Sequence, residues 1–280
     1  MHEFSNQEVE RLEQAADLLF QAEDRLPVLK TVNWSREVAE EFFRNREREL
    51  PRPDYTPLDP APSYERVQAA RALIDGNSPV HEWLLRVADQ TERTAAMLSS
   101  IGTKAFYDLS CALYGSPSTP IADGKTTGLA LARRLDGLLS EFDLGTLRME
   151  APLRLTAEDL KAELDRQLPV YFGKDAPKVT VTMDVSAKAA AGKDYVKLRA
   201  DAVFTDLDVD QLLQHEALIH IATGMNGRNG NRFAILGESH PGNAQTQEGL
   251  AVFSEFITGA IDPRRFKRLA DRMIAIDMAE

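Results

Sequence analysis

Cysteine is nearly missing from this chain of 280 residues: Cys111 stands alone, so no internal disulfide can form and a reducing compartment is expected. Long apolar runs are missing too. No stretch approaches the roughly 18 residues of a membrane span, and Met1 to Glu8 lack a basic region followed by an apolar one. A cytoplasmic protein with no membrane partner is the expectation. Positive charge is in deficit, with 33 Lys and Arg against 44 Asp and Glu, a net of -11 spread through the chain. Phosphate backbones repel such a surface, so no nucleic-acid partner is expected. At 43% hydrophobic and 28% charged the chain is too apolar for general disorder. Histidine is scarce, five in all, yet His215, His220 and His240 fall within 26 residues.

What is present organises into a helical first half. Val9, Leu12, Ala15, Ala16, Leu19 and Phe20 recur at spacings of three and four, and Val38, Ala39, Phe42 and Phe43 repeat the pattern. Pro51, Pro53, Pro57, Pro60 and Pro62 make 51–63 an extended connector, which Tyr55 and Leu58 suggest is packed. Helical patterns resume over 64–74, 80–98, 105–113 and 129–142, with Asn77-Ser78-Pro79 as a cap before the second. Cys111, inside Leu109-Ser-Cys-Ala-Leu, is expected in a buried helix. After about residue 150 the pattern changes. Thr156-Ala-Glu-Asp has the form of a helix start. Val179-Thr-Val-Thr-Met-Asp-Val alternates like a half-buried strand, and Val196 to Phe204 reads as a second strand, with 187–194 as the turn of an antiparallel hairpin. A helix follows from about Leu207 to Ala222, ended by Gly224; another runs from near Thr246 to Gly259, and Asp262-Pro263 opens a last one. The expected organisation is thus a helical region over 1–150, with the connector at 51–63, and a catalytic region over 151–280, the two making one compact unit.

Chemistry concentrates in His215-Glu216-Ala-Leu-Ile-His220. Two imidazoles and a carboxylate on one helix suit a catalytic zinc site: neutral nitrogen ligands for a borderline-soft cation, and a base beside the metal. In the common His-Glu-x-x-His motif the ligands lie four apart, about 40° around the helix. Here they lie five apart, about 140° around an ideal helix, too divergent to share an ion. A π-type bulge between them would restore a common face. The alternative is an ordinary amphipathic helix with surface histidines; His81-Glu82, with no second histidine after it, shows that the dipeptide alone comes cheaply. Gln247-Glu248-Gly-Leu-Ala, 28 residues after His220 on the next helix, offers Glu248 as third ligand, against a solvated carboxylate at a helix start. Gly249 beside it would permit close helix approach.

These residues resemble the QEGLA-motif family, first described as modulators of flavohaemoglobin expression and related to microtubule-associated tyrosine carboxypeptidases. The resemblance rests on His215-Glu-Ala-Leu-Ile-His220, Asn226-Gly227 and Thr246-Gln-Glu-Gly-Leu-Ala-Val-Phe-Ser-Glu255. It extends through Lys197-Leu-Arg-Ala and Leu113-Tyr-Gly-Ser-Pro-Ser, over residues 30–262. It implies one zinc ion held by His215, His220 and Glu248, Glu216 as general base, and an α+β, mostly helical fold with a zincin-like catalytic part, a small antiparallel sheet preceding the metal-binding helix. Where the family has Ile-Gly-Thr between the histidines this chain has Ala217, Leu218 and Ile219, which changes the shape of the pocket.

The expected activity is metal-assisted amide hydrolysis, carboxypeptidase-like, on the C-terminus of a peptide or protein. Arg199, then Lys197, then Arg228 are candidates to bind the terminal carboxylate by charge. Tyr114, His240 and Arg228 are candidates for a further oxyanion donor. The second strand offers edge pairing to an extended substrate. Glu255, seven residues past Glu248, could orient a ligand histidine. Strongly acidic tubulin tails suit a chain of charge -11 poorly, which makes tubulin a doubtful substrate. The competing reading is a regulatory or binding protein that keeps the fold and has lost turnover. A phosphate loop at Asp123-Gly-Lys-Thr126 is not expected, because Thr119 stands where the frame needs glycine.

Overall fold

The computed structural model describes residues 4–141, 153–185, 187–230 and 232–280. The boundary expected near residue 150 falls among 142–152, outside the described residues. The chain forms two compact units, each built from separated stretches: the first from Met1–Tyr114 and Asn226–Gln245, the second from Gly115–Met225 and Thr246–Glu280.

The first unit holds helices α1 (Asn6–Glu23), α2 (Val28–Val32), α3 (Arg36–Arg44), α4 (Ala61–Leu73), α5 (Pro79–Ser99) and α6 (Lys104–Tyr114). The apolar spacing read in the sequence is what α1 buries: Leu12, Ala15, Ala16, Leu19 and Ala22, behind a Ser5 cap that accepts from the Glu8 amide. Val67 and Ala70 of α4 and Leu84, Val87 and Ala88 of α5 complete that core, into which Ile235 inserts from the later stretch. Ser78 precedes α5 without capping its backbone, because its hydroxyl meets His81 Nδ1 at 2.7 Å instead. The proline-rich segment carries no regular structure over 51–60 and is packed as expected: Trp34 Nε1 donates to Tyr55 Oη at 2.8 Å, and Leu58 joins Leu98 and Met97. Helix α6 buries no residue fully, so Cys111 is half-buried rather than in the core.

Among its described residues the second unit holds α7 (Gly128–Glu141), α8 (Ala157–Phe172), five short strands, a π-helix (Leu212–Ile221) and α12 (Pro263–Ala279). Thr156 and Asp159 form the reciprocal capping box of α8. The strands are β1 (Arg154–Leu155), β2 (Lys178–Thr182), β3 (Ala189–Ala191), β4 (Tyr195–Arg199) and β5 (Phe204–Thr205). β1 pairs β5 antiparallel, and the other three form a mixed sheet in the order β2-β4-β3. The α+β class, mostly helical, is therefore correct, but the expected hairpin between the first two alternating segments is not. β2 and β4 run parallel, Val179 opposite Val196, and the hairpin is made by β3 and β4. The segment read as a turn supplies β3. Its run of alanines lacks the alternation that marks a strand, yet Ala189 and Ala191 pack on the core formed by Leu160, Leu164, Leu198, Phe204, Leu213 and Ile221.

Residues Asp206–Gln211 (α9), also within the second unit, lead into the π-helix, and Ala222–Arg228 (α10) continues it into the later stretch of the first unit. Gly224 therefore does not end the helix; Gly227 lies within it, where a Cβ would meet Leu236 O at 2.1 Å. Only glycine lets the backbone of residues 236–237 come so close. Helix α11 starts earlier than expected, spanning Pro241–Thr258.

Candidate metal centre

Helix α9 opens with its own capping box at Thr205 and Asp208, and the ten residues after it wind as a π-helix. In that geometry hydrogen bonds run from i to i+5, so residues five apart stand about one turn above each other. His215 and His220 are brought together by it, their ring centroids 4.9 Å apart at 69°. Leu212, Leu213, Ala217 and Ile221 anchor the other side of the π-helix in the core, which stabilises a rare backbone form. Ser254 of α11 donates its hydroxyl to Gln214 O at 3.1 Å, tying the two helices together.

Helix α11 presents Ala251, Ser254 and Glu255 as its buried face. Glu248, one turn earlier on that face, reaches the histidines: Oε2 lies 3.6 Å from His215 Nε2 and Oε1 lies 3.5 Å from His220 Nε2. One donor atom from each of His215, His220 and Glu248 falls within 4.8 Å of the others, and this trio could hold a metal ion. Donors bonded to zinc at about 2.0–2.1 Å in a tetrahedron are roughly 3.4 Å apart, so the two histidine–glutamate separations fit such an ion. His215 is buried, whereas the Glu248 side chain is 66% exposed, so the trio is open to solvent on one side. Gly249 has no heavy atom within 4 Å of where a Cβ would stand; the close approach expected there is absent, and Ser254 makes the helix contact instead.

The electrostatics without metal follow from these contacts. Burial opposes charging His215, but hydrogen bonds to Glu248 and Glu255 and the nearby charge of Glu216 outweigh it and lift its pKa to about 9. Glu248 is held below the ordinary carboxylate range by its bond to His215, against burial, with His220 and Arg265 adding to the effect. Glu216 sits between the histidines, partly buried, with no hydrogen bond or ion pair among the described residues. Its carboxylate is thus uncommitted beside the trio.

Glu255 is fully buried, and its Oε1 lies 2.6 Å from His215 Nδ1. Its remaining capacity is taken by Arg265, whose Nε donates to Oε2 and Nη2 to Oε1, both at 3.0 Å. Burial raises the Glu255 pKa, but His215 and Arg265 together bring it below the ordinary value. Arg265 is missing from the sequence reading. A signal existed: arginine in the first turn of a helix opposes the helix dipole, and an arginine there needs a local carboxylate.

The other expected residues are not among the three whose donor atoms are grouped. Lys197 and Arg199 alternate with Val196 and Leu198, which face the core shared with the π-helix, so they leave from the opposite face of the sheet. Arg199 Nε donates to Asp201 at 2.7 Å, and Lys197 Nζ lies 5.2 Å over the Tyr195 ring. β4 is the central strand, so it has no free edge for a substrate; the edge beside the π-helix belongs to β3. Tyr114, Arg228 and His240 belong to the first unit. There Arg228 Nη1 donates to Gly237 O at 3.3 Å, His240 Nδ1 meets Gln90 Oε1 at 3.1 Å, and Tyr114 is half-exposed at the end of α6. Burial pushes the His240 pKa down.

Among the described residues no helix is long and apolar enough to cross a membrane. No curated protein and no solved structure matches the chain significantly. The family profile described as microtubule-associated tyrosine carboxypeptidase matches residues 40–280, six-sevenths of the chain and all of the stretch that carries His215, His220 and Glu248. This chain belongs to the microtubule-associated tyrosine carboxypeptidase family.

Proposed function

We propose that the protein is a zinc-dependent peptidase of the metallocarboxypeptidase type, with His215, His220 and Glu248 as ligands and Glu216 as general base. The observation that carries the reading is the convergence of three donor atoms within 4.8 Å on a π-helix and its neighbour, with the carboxylate of Glu216, next in the chain to His215, acting on that histidine by charge. Zinc bound there supplies Lewis-acid polarisation of a carbonyl and acidification of water. His215 and His220 offer imidazole nitrogens, and Glu248 offers one carboxylate oxygen. Glu216 accepts the proton of the attacking water and returns it to the departing amine, so that the peptide bond breaks to an acid and an amine. Glu255 orients the His215 ring through Nδ1.

The substrate class is an extended peptide. β3 is an edge strand, and the hydrogen-bond phase set by Gly192 N to Tyr195 O and Arg199 N to Lys188 O turns Ala190 towards β4. The amides and carbonyls of Ala189 and Ala191 therefore point away from the sheet, where a substrate backbone can pair. A net charge of -11 favours peptides that are neutral or basic near the cleaved end over acidic tails such as those of tubulin.

The test is metal analysis of wild type and Glu216→Gln, with cleavage assays on paired peptides bearing free and amidated C-termini. Both proteins should hold one zinc per chain, and Glu216→Gln should be slower by about 10²- to 10⁴-fold. Wild type without metal overturns the zinc reading. Equal cleavage of the amidated peptide overturns carboxypeptidase action, and zinc without Glu216-dependent cleavage favours a binding protein that has lost turnover.

A further inference from the structure

Arg265 is a buried cation ten residues beyond Glu255 and across a break between helices, and it touches none of the three ligand residues directly. Its position is built with some care by the local chain. α11 ends at Thr258, Gly259 takes φ +75°, the Ile261 amide donates to Glu255 O at 3.2 Å, and Asp262 then caps α12 by accepting from the Arg265 amide at 2.7 Å. The backbone of Arg265 is thereby pinned to the turn that follows Glu255. Its guanidinium returns to that residue with two donors, each at 3.0 Å, one on each carboxylate oxygen.

From this geometry we infer that Arg265 is a positioning residue for the metal centre, acting through Glu255 on His215. The inference rests on the zinc reading above. A carboxylate held at both oxygens by one rigid fork cannot turn about its last bond without losing a buried charge-assisted bond. Its Oε1 is therefore kept in front of His215 Nδ1, at 2.6 Å. A carboxylate facing Nδ1 keeps the ring proton on that nitrogen, which leaves the Nε2 lone pair for a ligand. His215 Nε2 is the nitrogen that faces Glu248, at 3.6 Å. The start of the last helix thus sets both the tautomer and the ring orientation of a residue 50 positions earlier in the chain. Lysine in place of arginine would supply a point charge without the fork, and would leave the carboxylate free to swing.

The experiment compares wild type, Arg265→Met, Arg265→Lys, Glu255→Gln and the Glu255→Gln/Arg265→Met pair. Zinc affinity is read by competition with a chromogenic chelator, the absorption spectrum with cobalt in place of zinc, and the melting temperature of the metal-free proteins. Arg265→Met should weaken zinc binding roughly 10- to 100-fold and shift the cobalt bands, with Arg265→Lys between it and wild type. The double variant should bind zinc no more weakly than Glu255→Gln alone, because both changes break one chain of contacts. Wild-type affinity and cobalt spectrum in Arg265→Met overturn the inference, as do additive losses in the double variant. If Arg265→Met and Arg265→Lys both fail to fold without metal, the arginine serves the core and the positioning role is overturned. Failure of wild type to bind zinc or cobalt is a different result, and it refutes the zinc reading itself.

Discussion

His215 is the candidate ligand whose titration its surroundings shift to about 9, because three carboxylates act on one imidazole. Burial works against its charge, the bonds to Glu248 and Glu255 work for it, and the balance leaves a pKa of about 9 in the metal-free protein. The folded value lies above the ordinary one of about 6.5. The contribution of His215 to the stability of the metal-free fold is therefore complete below about pH 6.5 and lost as pH rises through about 9. Metal binding has the opposite trend, since a ligand imidazole must lose its second proton. Zinc affinity should rise with pH up to about 9 and flatten above it, when measured by competition at fixed metal activity. In the metal-free protein, thermal melts over the same range should fall. An affinity independent of pH between 6.5 and 9 would show that His215 is not a ligand. At this scale the candidate trio was legible in the sequence from residue chemistry together with the resemblance, since the five-residue spacing by itself would separate the histidines on an ideal helix. Arg265 was legible only as an unfavourable first-turn cation, because no spacing rule names the carboxylate that it pairs with across a helix break.

At the scale of elements, the π-helix brings the two histidines together, and β3 is the edge that the proposed substrate path would use. Five-residue spacing of the histidines required a departure from the α-helix, and ten residues of π-helix are present. Their position follows from the apolar residues Leu212, Leu213, Ala217 and Ile221, which must stay on the core side while the histidines share the other. β3 was hidden for the converse reason. Ala189, Ala190 and Ala191 have neither alternation nor β-branching, and their pairing is dictated by the partner β4 rather than by their own propensity. Proline at Ala191 removes an amide that points off the sheet, so the strand should tolerate it as edge strands do. Ala191→Pro should therefore fold with a melting temperature close to wild type. If a substrate backbone pairs along that edge, KM should rise by up to about tenfold with kcat little changed, as expected for one net hydrogen bond. An unchanged KM would remove β3 from the substrate path.

The whole molecule adds its charge. A net of -11 sets a long-range field that repels acidic peptides and attracts basic ones, and added salt screens it beyond about 10 Å at 0.1 M. With a pair of peptides that differ only in the charge of the residues upstream of the cleaved end, KM should fall with ionic strength for the acidic peptide and rise for the basic one. Equal salt responses would mean that the site's local charge, not the net charge, governs selection, and acidic tails would return as candidate substrates. The two compact units belong to this scale as well. Residues 226–245 join the first unit although they lie between the two stretches that carry the candidate metal trio. Ile235 explains why: an apolar side chain in a loop finds its burial with Leu12, Leu19 and Leu84.

By itself the sequence determined most of the helices, through apolar spacing and the caps at Thr156 and Asp262, and it marked His215, His220 and Glu248 as the candidate donor set, through residue chemistry and the resemblance. It also determined the family. Tertiary structure alone decided the parallel pairing of β2 with β4, the strand made from a run of alanines, and the side of the sheet from which Lys197 and Arg199 leave. It alone placed Arg265 on Glu255. The physical reason is common to all four: local sequence sets periodicity and capping over a turn or two, whereas strand partners and buried charge pairs are chosen by the burial and hydrogen-bond needs of residues distant in the chain.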